Sequence, residues 1–100
     1  SAIVNKANLQ AFAKLAKNQG TLKSRLLKAR VLEYISSPMN AERIELLKDV
    51  VSRPYQATMT TSICLTPNQL KQFQDFCDTL HITTRNLFDV VIQEELLKSN

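Results

Sequence analysis

Glycine, histidine and cysteine are scarce in this 100-residue chain, which holds one glycine, one histidine, two cysteines and no tryptophan. A single glycine, Gly20, excludes the phosphate-binding glycine loops, which need several glycines at fixed spacing. Cys64 and Cys77 are too few for a disulfide framework and lack the paired spacing of a zinc site. No nucleophile and acid stand at a spacing that would make His81 a catalyst. We therefore expect no enzyme, no catalytic residue, no metal and no cofactor.

Long apolar runs are also missing. No stretch of about 18 apolar residues occurs, so we expect no membrane-spanning helix and no membrane partner. The hydrophobic fraction, 44%, is enough for a chain of this length to bury one core. We therefore expect a single domain over residues 1–100.

The positive charge is concentrated in one part of the chain. The net charge is +4, which makes a polyanionic partner plausible. Residues 1–35 hold seven Lys/Arg and one Glu, residues 36–57 hold three of each sign, and residues 58–100 hold three Lys/Arg and five acids. We expect the first third of the chain to make the stronger contact with such a partner.

An internal repeat organises the sequence. A shift of 61 positions places apolar residues on apolar residues, as in Leu9 on Leu70, Phe12 on Phe73, Ala16 on Cys77, Leu26 on Leu87, Leu27 on Phe88, Val31 on Ile92 and Ile35 on Leu96. Identities are few, so the likeness is one of pattern, which is what a shared buried face preserves. The sequence predicts two similar units, residues 1–35 and 58–100, joined by a linker of residues 36–57.

The second unit has the clearer signals. Residues 58–65 are rich in Thr and Ile without helical rhythm, which predicts a strand with Thr61 on an apolar face and Thr60 on a small polar one. Thr66, followed by a proline and a Gln three residues on, predicts a capped helix that ends near His81. His81 takes the place of Gly20, where a left-handed backbone is expected. Thr83 then begins a helix that runs to about residue 98 and is apolar on several sides.

The first unit follows the same order. We expect a strand over residues 1–4, a helix capped by Asn5 and ending near residue 18, and a second helix from Thr21 to about residue 35. In the linker, Asn40 is a good cap for a helix over about residues 41–51.

A short strand with a small polar face, followed by two helices, resembles the ribbon-helix-helix family of DNA-binding proteins. The stretches that carry the resemblance are residues 62–70 with 83–87 and, less fully, residues 20–26. The resemblance implies a mainly α fold with a two-stranded antiparallel ribbon. Here two fused ribbon-helix-helix units would form an intramolecular pseudodimer linked by an extra helix. The chain would then act as a monomer, and further self-association is left open.

In that family the ribbon lies in the major groove, where each base pair presents a distinguishable pattern of donors, acceptors and methyl groups. The resemblance implies that six residues read bases: Thr60, Ser62 and Cys64 from the second strand and Ser1, Ile3 and Asn5 from the first. Ile3 departs from the family pattern, because an apolar side chain can contact a thymine methyl group but reads little else.

Family proteins also bind phosphates at the start of the second helix, where free N–H groups and the helix dipole favour an anion. The matching residues are Thr21, Lys23, Ser24 and Arg25 in the first unit and Thr83, Thr84 and Arg85 in the second. Lys6, Lys14 and Lys17 are auxiliary basic residues. The alternative is that Thr83 only caps its helix and that Lys23 is only solvated.

The repeat also pairs opposite charges, since Lys14 falls on Asp75, Lys17 on Asp78 and Lys28 on Asp89. We hypothesise that the two units have diverged. The first would hold phosphate, and the acidic second unit would face a protein neighbour or another copy of the chain.

The resemblance implies sequence-specific binding of double-stranded DNA as an accessory factor in DNA processing or transfer, at a site of the overdrive type beside a T-DNA border. It further implies a bacterial cytoplasmic protein on the nucleoid or a plasmid, with relaxase or partitioning-type ATPase partners. Two alternatives stay open. One is a plasmid-type repressor or antitoxin of the same fold, and the other is a helical protein-interaction module in which residues 58–65 form a loop.

Overall fold

The computed structural model describes residues 2–52 and 58–98, and for residues 2, 3 and 58–60 it describes the backbone alone. Two strands and five helices follow one another: β1 (Ala2–Asn5), α1 (Lys6–Asn18), α2 (Lys23–Ser36), α3 (Ala41–Ser52), β2 (Thr58–Thr61), α4 (Pro67–Leu80) and α5 (Thr84–Lys98). The helix bounds lie within about two residues of those predicted from the sequence.

Side-chain caps explain where three of the helices begin. The Asn8 N–H donates to Asn5 Oδ1 at 3.0 Å, and the Arg43 N–H donates to Asn40 Oδ1 at 2.9 Å. At the start of α4, Thr66 and Gln69 form a reciprocal capping box. Each cap supplies an acceptor to an N–H that has no partner inside the helix. The predicted starts of α1, α3 and α4 are confirmed.

Two helices end with the same backbone geometry, 61 residues apart. Gly20 after α1 has φ 75°, and His81 after α4 has φ 55°. At the first end, the Gly20 N–H donates to the Lys17 carbonyl and the Thr21 N–H to the Ala16 carbonyl; at the second, His81 donates to Asp78 and Ile82 to Cys77. This pair of bonds is a Schellman motif, which needs a left-handed residue. The predicted equivalence of Gly20 and His81 is confirmed in the backbone.

α5 is the centre of the molecule. Six consecutive residues, 87–92, are buried, and the helix packs against β1 and against all four other helices. α1, α2 and α3 contribute buried apolar residues such as Phe12, Val31 and Leu47 to the same core. A helix that is apolar on several sides must be covered on several sides. The prediction that α5 is apolar on several sides is confirmed, because other elements pack against several of its sides.

The predicted fold class requires correction, because the structure is a mostly helical, five-helix protein and the extended ribbon expected over residues 58–65 is not formed. β1 and β2 are antiparallel, but only four residue pairs join them, from Ala2 with Thr61 to Asn5 with Thr58. In this register Asn5, which caps α1, lies opposite Thr58, and residues 62–66 are outside the strand. Each strand has four residues, and helix packing dominates the fold.

Two further expectations are wrong. Leu70 was placed on the buried stripe of α4, yet it is 45% exposed, whereas its repeat equivalent Leu9 is 1% exposed. The reason is that α1 packs against both strands as well as α2 and α5, while the packing partners of α4 are α2 and α5. The second helix of the first unit starts at Lys23 with Leu22 as its N-cap, instead of being opened by Thr21.

Candidate nucleic-acid interface

Cationic side chains gather where α1 ends and α2 begins. An open cleft of about 510 Å³ is lined there by Ala13, Lys17, Gly20, Thr21, Leu22, Lys23 and Arg25. Lys17 and Arg25 are exposed and Lys23 is half-buried. We call Lys17, Lys23 and Arg25 the α2-start cluster. The structure thus brings together three of the side chains that the sequence assigned to phosphate or auxiliary contacts.

The N-terminus of α2 is open to an anion. Leu22 makes no side-chain hydrogen bond to the first turn, and that turn contains no acidic residue. The Thr21 N–H, by contrast, donates to the Ala16 carbonyl at 3.0 Å and so closes α1. The unpaired N–H groups at a helix start carry partial positive charge and bind anions. Lys23, Ser24 and Arg25 lie in the first turn of α2, where an anion would bind, while the N–H of Thr21 is already used.

The equivalent start of α5 is closed by its own residues. The Asn86 N–H donates to Thr83 Oγ1 at 3.1 Å, and the Thr83 N–H donates to Asn86 Oδ1 at 3.2 Å. This is the capping role that the sequence analysis offered as an alternative to phosphate binding for Thr83. Thr84 is exposed and Arg85 is half-buried. The two helix starts therefore differ in their capacity for an added anion.

The base-reading residues predicted in the strands are only partly described. Ser1 lies outside the described residues, and Ile3 and Thr60 are opposite each other in the β1–β2 register. The Asn5 side chain is already engaged, because its Oδ1 accepts the Asn8 N–H. This bond uses one acceptor site of the amide, while the two donors of its Nδ2 group stay available. Asn5 thus fixes the β1–α1 junction, and its role in reading bases stays a prediction.

The segment that follows β2 alternates in exposure. Ser62 and Cys64 are exposed, while Thr61 is buried and Ile63 is partly buried against the core. This alternation confirms the predicted faces for these four residues, even though the strand ends at Thr61. Ser62 and Cys64 are therefore accessible to a ligand on the outer side of this segment.

The remaining basic residues have different surroundings. Lys6, Lys14 and Lys17 are exposed along α1, and Lys28 is half-buried in α2. Lys28 and Asp89, which the repeat superimposes, do not form a contrast of surface charge, because Asp89 is only 7% exposed. The two units thus carry opposite surface charges at two equivalent pairs of positions, Lys14 and Lys17 in the first unit and Asp75 and Asp78 in the second. All four side chains are exposed.

Asp89 is a buried acid that connects α5 to β1. The Asn5 N–H donates to Asp89 Oδ1 at 3.0 Å across 84 residues of sequence. Burial raises the pKa of the Asp89 carboxyl, and this effect exceeds the opposing influence of the Asn5 hydrogen bond and the Arg85 charge. Asp89 thus bonds to the strand predicted to read bases and feels the charge of Arg85, which is predicted to bind phosphate. An acid within the apolar run 87–92 was the sequence signal for such a role.

The raised pKa of Asp89 determines the direction in which folding stability changes with pH. A folded-state pKa above the unfolded value means that the folded protein holds the proton more tightly, so stability falls as pH rises from 3.8 through the raised pKa. Asp89→Asn keeps an acceptor for Asn5 and carries no charge. We expect this variant to gain stability relative to the natural chain as pH rises through that window, as measured by thermal unfolding at stepped pH.

Asp89→Leu is the matched variant, since it removes both the charge and the acceptor. It should be less stable than Asp89→Asn by about 1–3 kcal/mol, because the Asn5 N–H is left without its partner. Equal stability of the two variants would show that the bond between Asn5 and Asp89 contributes nothing.

Sequence reasoning missed a cluster that fixes α3 on α5. Arg43 donates to both carboxylate oxygens of Glu94 at 3.1 Å and lies 4.6 Å from the ring centre of Tyr34. Burial, with Glu94 nearby, raises the pKa of Tyr34 to about 12. A bidentate pair of this kind holds its partners in one geometry. Arg43 and Glu94 are 51 residues apart, so no local pattern signals the pair. The pair thus fixes α3 against α5.

Within residues 2–52 and 58–98, no group of three or more His, Cys, Asp or Glu side chains could hold a metal ion. In the same part of the chain, none of the helices is long and apolar enough to cross a membrane. Comparison with family models, curated proteins and solved structures gives no match for this chain.

Proposed function

We propose that the chain binds double-stranded DNA in a sequence-specific manner, as an accessory factor in DNA processing or transfer. The observation that carries the proposal is the α2-start cluster, in which three cations surround a helix N-terminus that has no side-chain cap and no acid. Fixed N–H dipoles together with Arg and Lys side chains are the usual protein groups that bind DNA phosphates.

The distance between the cluster and the strands supports a duplex as the ligand. α1 has 13 residues and is therefore about 20 Å long, with β1 at its start and Lys17 in its last turn. The major groove is about 12 Å wide. A duplex that presents base edges to Ser62 and to the short strand pair would bring its phosphate backbone toward the far end of α1. Phosphate contacts then fix the position, and contacts with bases give the specificity.

The same geometry supports an asymmetric complex. The last two turns of α4 carry Asp75 and Asp78 at the positions where α1 carries Lys14 and Lys17, and the following helix is capped by Thr83 and Asn86. Acids and an internal cap both disfavour phosphate. The first half of the chain supplies most of the nonspecific affinity, and the target sequence has no need of perfect twofold symmetry. Relaxase or partitioning-type ATPase partners belong to this proposal through the family resemblance alone.

The test is selection of bound duplexes from a random library, followed by anisotropy titrations of a selected and a scrambled duplex over a range of salt. We expect enrichment of a defined, non-palindromic sequence and an affinity that falls steeply with salt as counterions are released. Ser62→Ala should reduce the preference for the selected duplex while leaving the salt dependence unchanged.

A chain that binds both duplexes equally would be a nonspecific DNA-binding protein. A chain that binds neither duplex at low salt would contradict the proposal and favour the helical protein-interaction module. Lys48→Ala changes an exposed residue on α3 and is the control for Ser62→Ala, since it should leave the preference for the selected duplex unchanged.

A further inference from the structure

A groove beside the acidic helix α4 is not filled by any other described residue. It lies between the end of α2 and α4, encloses about 490 Å³, and is lined by Ile35, Ser36, Met39, Gln72, Asp75, Phe76, Thr79 and Leu80. Its apolar members are only partly buried although they pack against the core. Covering them would remove further apolar surface from water, which is favourable.

The rim of the groove is acidic. Asp75 lines it, and Asp78 lies one turn further along the same face of α4. Both side chains are exposed, and neither makes an ion pair with another described residue. Two carboxylates three residues apart are neighbours on a helix surface. The groove therefore fits a partner that carries two cations at the same spacing beside aliphatic surface.

This chain contains such a partner surface. Lys14 and Lys17 occupy the equivalent positions of α1, are exposed, and likewise make no ion pair with another described residue. A lysine can lay its aliphatic stem along apolar side chains while its ammonium group stays in water. The stems of Lys14 and Lys17 can thus cover Phe76 and Leu80 of another copy while the ammonium groups reach Asp75 and Asp78.

α1 and α4 each pack against α2 and α5. Within one molecule Lys14 and Lys17 make no ion pair with Asp75 or Asp78, but two molecules can bring these side chains together. We infer that a second copy of this chain docks head to tail, its α1 face (Lys14, Lys17) against the α4 groove (Asp75, Asp78).

A contact between two different surfaces does not close on itself by a twofold axis. Each added copy presents a new free groove, so the association is open-ended and grows with protein concentration. Because the contact is largely between exposed charges, it weakens as salt shortens the screening length, which is about 10 Å at 0.1 M.

The test is a charge swap read by sedimentation equilibrium at low salt, without nucleic acid, so the result is independent of DNA binding. The lysine variant carries Lys14→Glu and Lys17→Glu, and the aspartate variant carries Asp75→Lys and Asp78→Lys. Each variant alone presents like charges on both surfaces and should sediment as a monomer. The equimolar mixture restores opposite charges at every contact and should associate at least as strongly as the natural chain.

Circular dichroism is the check that both variants are folded. We expect them to be folded because all four side chains are exposed. The inference is overturned if the natural chain stays monomeric at low salt, if either variant associates as the natural chain does, or if the mixture stays monomeric. An unrelated basic protein as the true occupant of the groove would give the first of these results.

Discussion

Replacing Lys23 and Arg25 by glutamine is expected to weaken duplex DNA binding by roughly 100-fold at 0.1 M salt and to lower the salt slope by about 2. Both residues lie in the first turn of α2, beside N–H groups that Leu22 leaves uncapped. Each phosphate contact releases about one counterion on binding, so the loss of two contacts appears directly in the slope. Anisotropy titrations at four or five salt concentrations measure both quantities.

The matched control changes the same net charge elsewhere. Lys48 on α3 and Lys71 on α4 are exposed, and replacing both by glutamine removes two positive charges distant from the cluster. We expect this double variant to keep the slope of the natural chain and to lose only a small part of its affinity. If the two double variants lose equal affinity, binding depends on total charge, and the α2-start cluster has no special role.

Leu9→Ala should destabilise the protein by about 2–5 kcal/mol, whereas the repeat-equivalent Leu70→Ala should cost no more than about 1 kcal/mol. Leu9 is 1% exposed in the core between α1, the strands and α5, and Leu70 is 45% exposed on α4. Truncation of the first leaves a cavity, while truncation of the second removes atoms that already contact water. Urea unfolding followed by circular dichroism gives the two free energies, and the melting temperature of Leu9→Ala should fall by about 10 °C or more.

Leu70→Ala is thereby the control for Leu9→Ala, since the chemical change is the same at both positions. Similar losses at the two sites would mean that the two halves bury equivalent faces, contrary to the structure. The result bears on function as well, because a rigid first half is what holds the α2-start cluster in place.

The helices were predictable because their signals are local. Asn5, Asn40 and Thr66 are caps whose acceptors serve N–H groups three residues away, and the left-handed turns at Gly20 and His81 follow from the repeat. The alternation of Ser62 and Cys64 with their partly buried neighbours was also visible in the sequence. Each of these features depends on a few adjacent residues and on periodicity, which a single sequence contains.

Features that depend on distant residues were not predictable. β2 pairs with β1, which is more than 50 positions away, and ends at Thr61, so residues 62–65 satisfied a strand pattern without becoming a strand. The exposure of Leu70 depends on strands that cover α1 but not α4, although Leu9 and Leu70 have the same pattern. Asp89 was taken for a surface residue because its contact with Asn5 is invisible in the sequence. For the candidate site, the difference between an open α2 and a capped α5 was not predictable from the sequence.

The central position of α5 also determines when the fold can form. α5 is the last of the five helices, yet it packs against β1 at the start of the chain and against each helix before it. Loops that join such distant segments must close before their contacts stabilise anything. As the chain emerges from the ribosome, the apolar faces of α1, α2 and α3 therefore cannot form their common core until residues 84–98 are available to pack against them. A nascent chain paused before α5 should expose those faces to chaperones and proteases, while release of α5 should complete the core in one cooperative step.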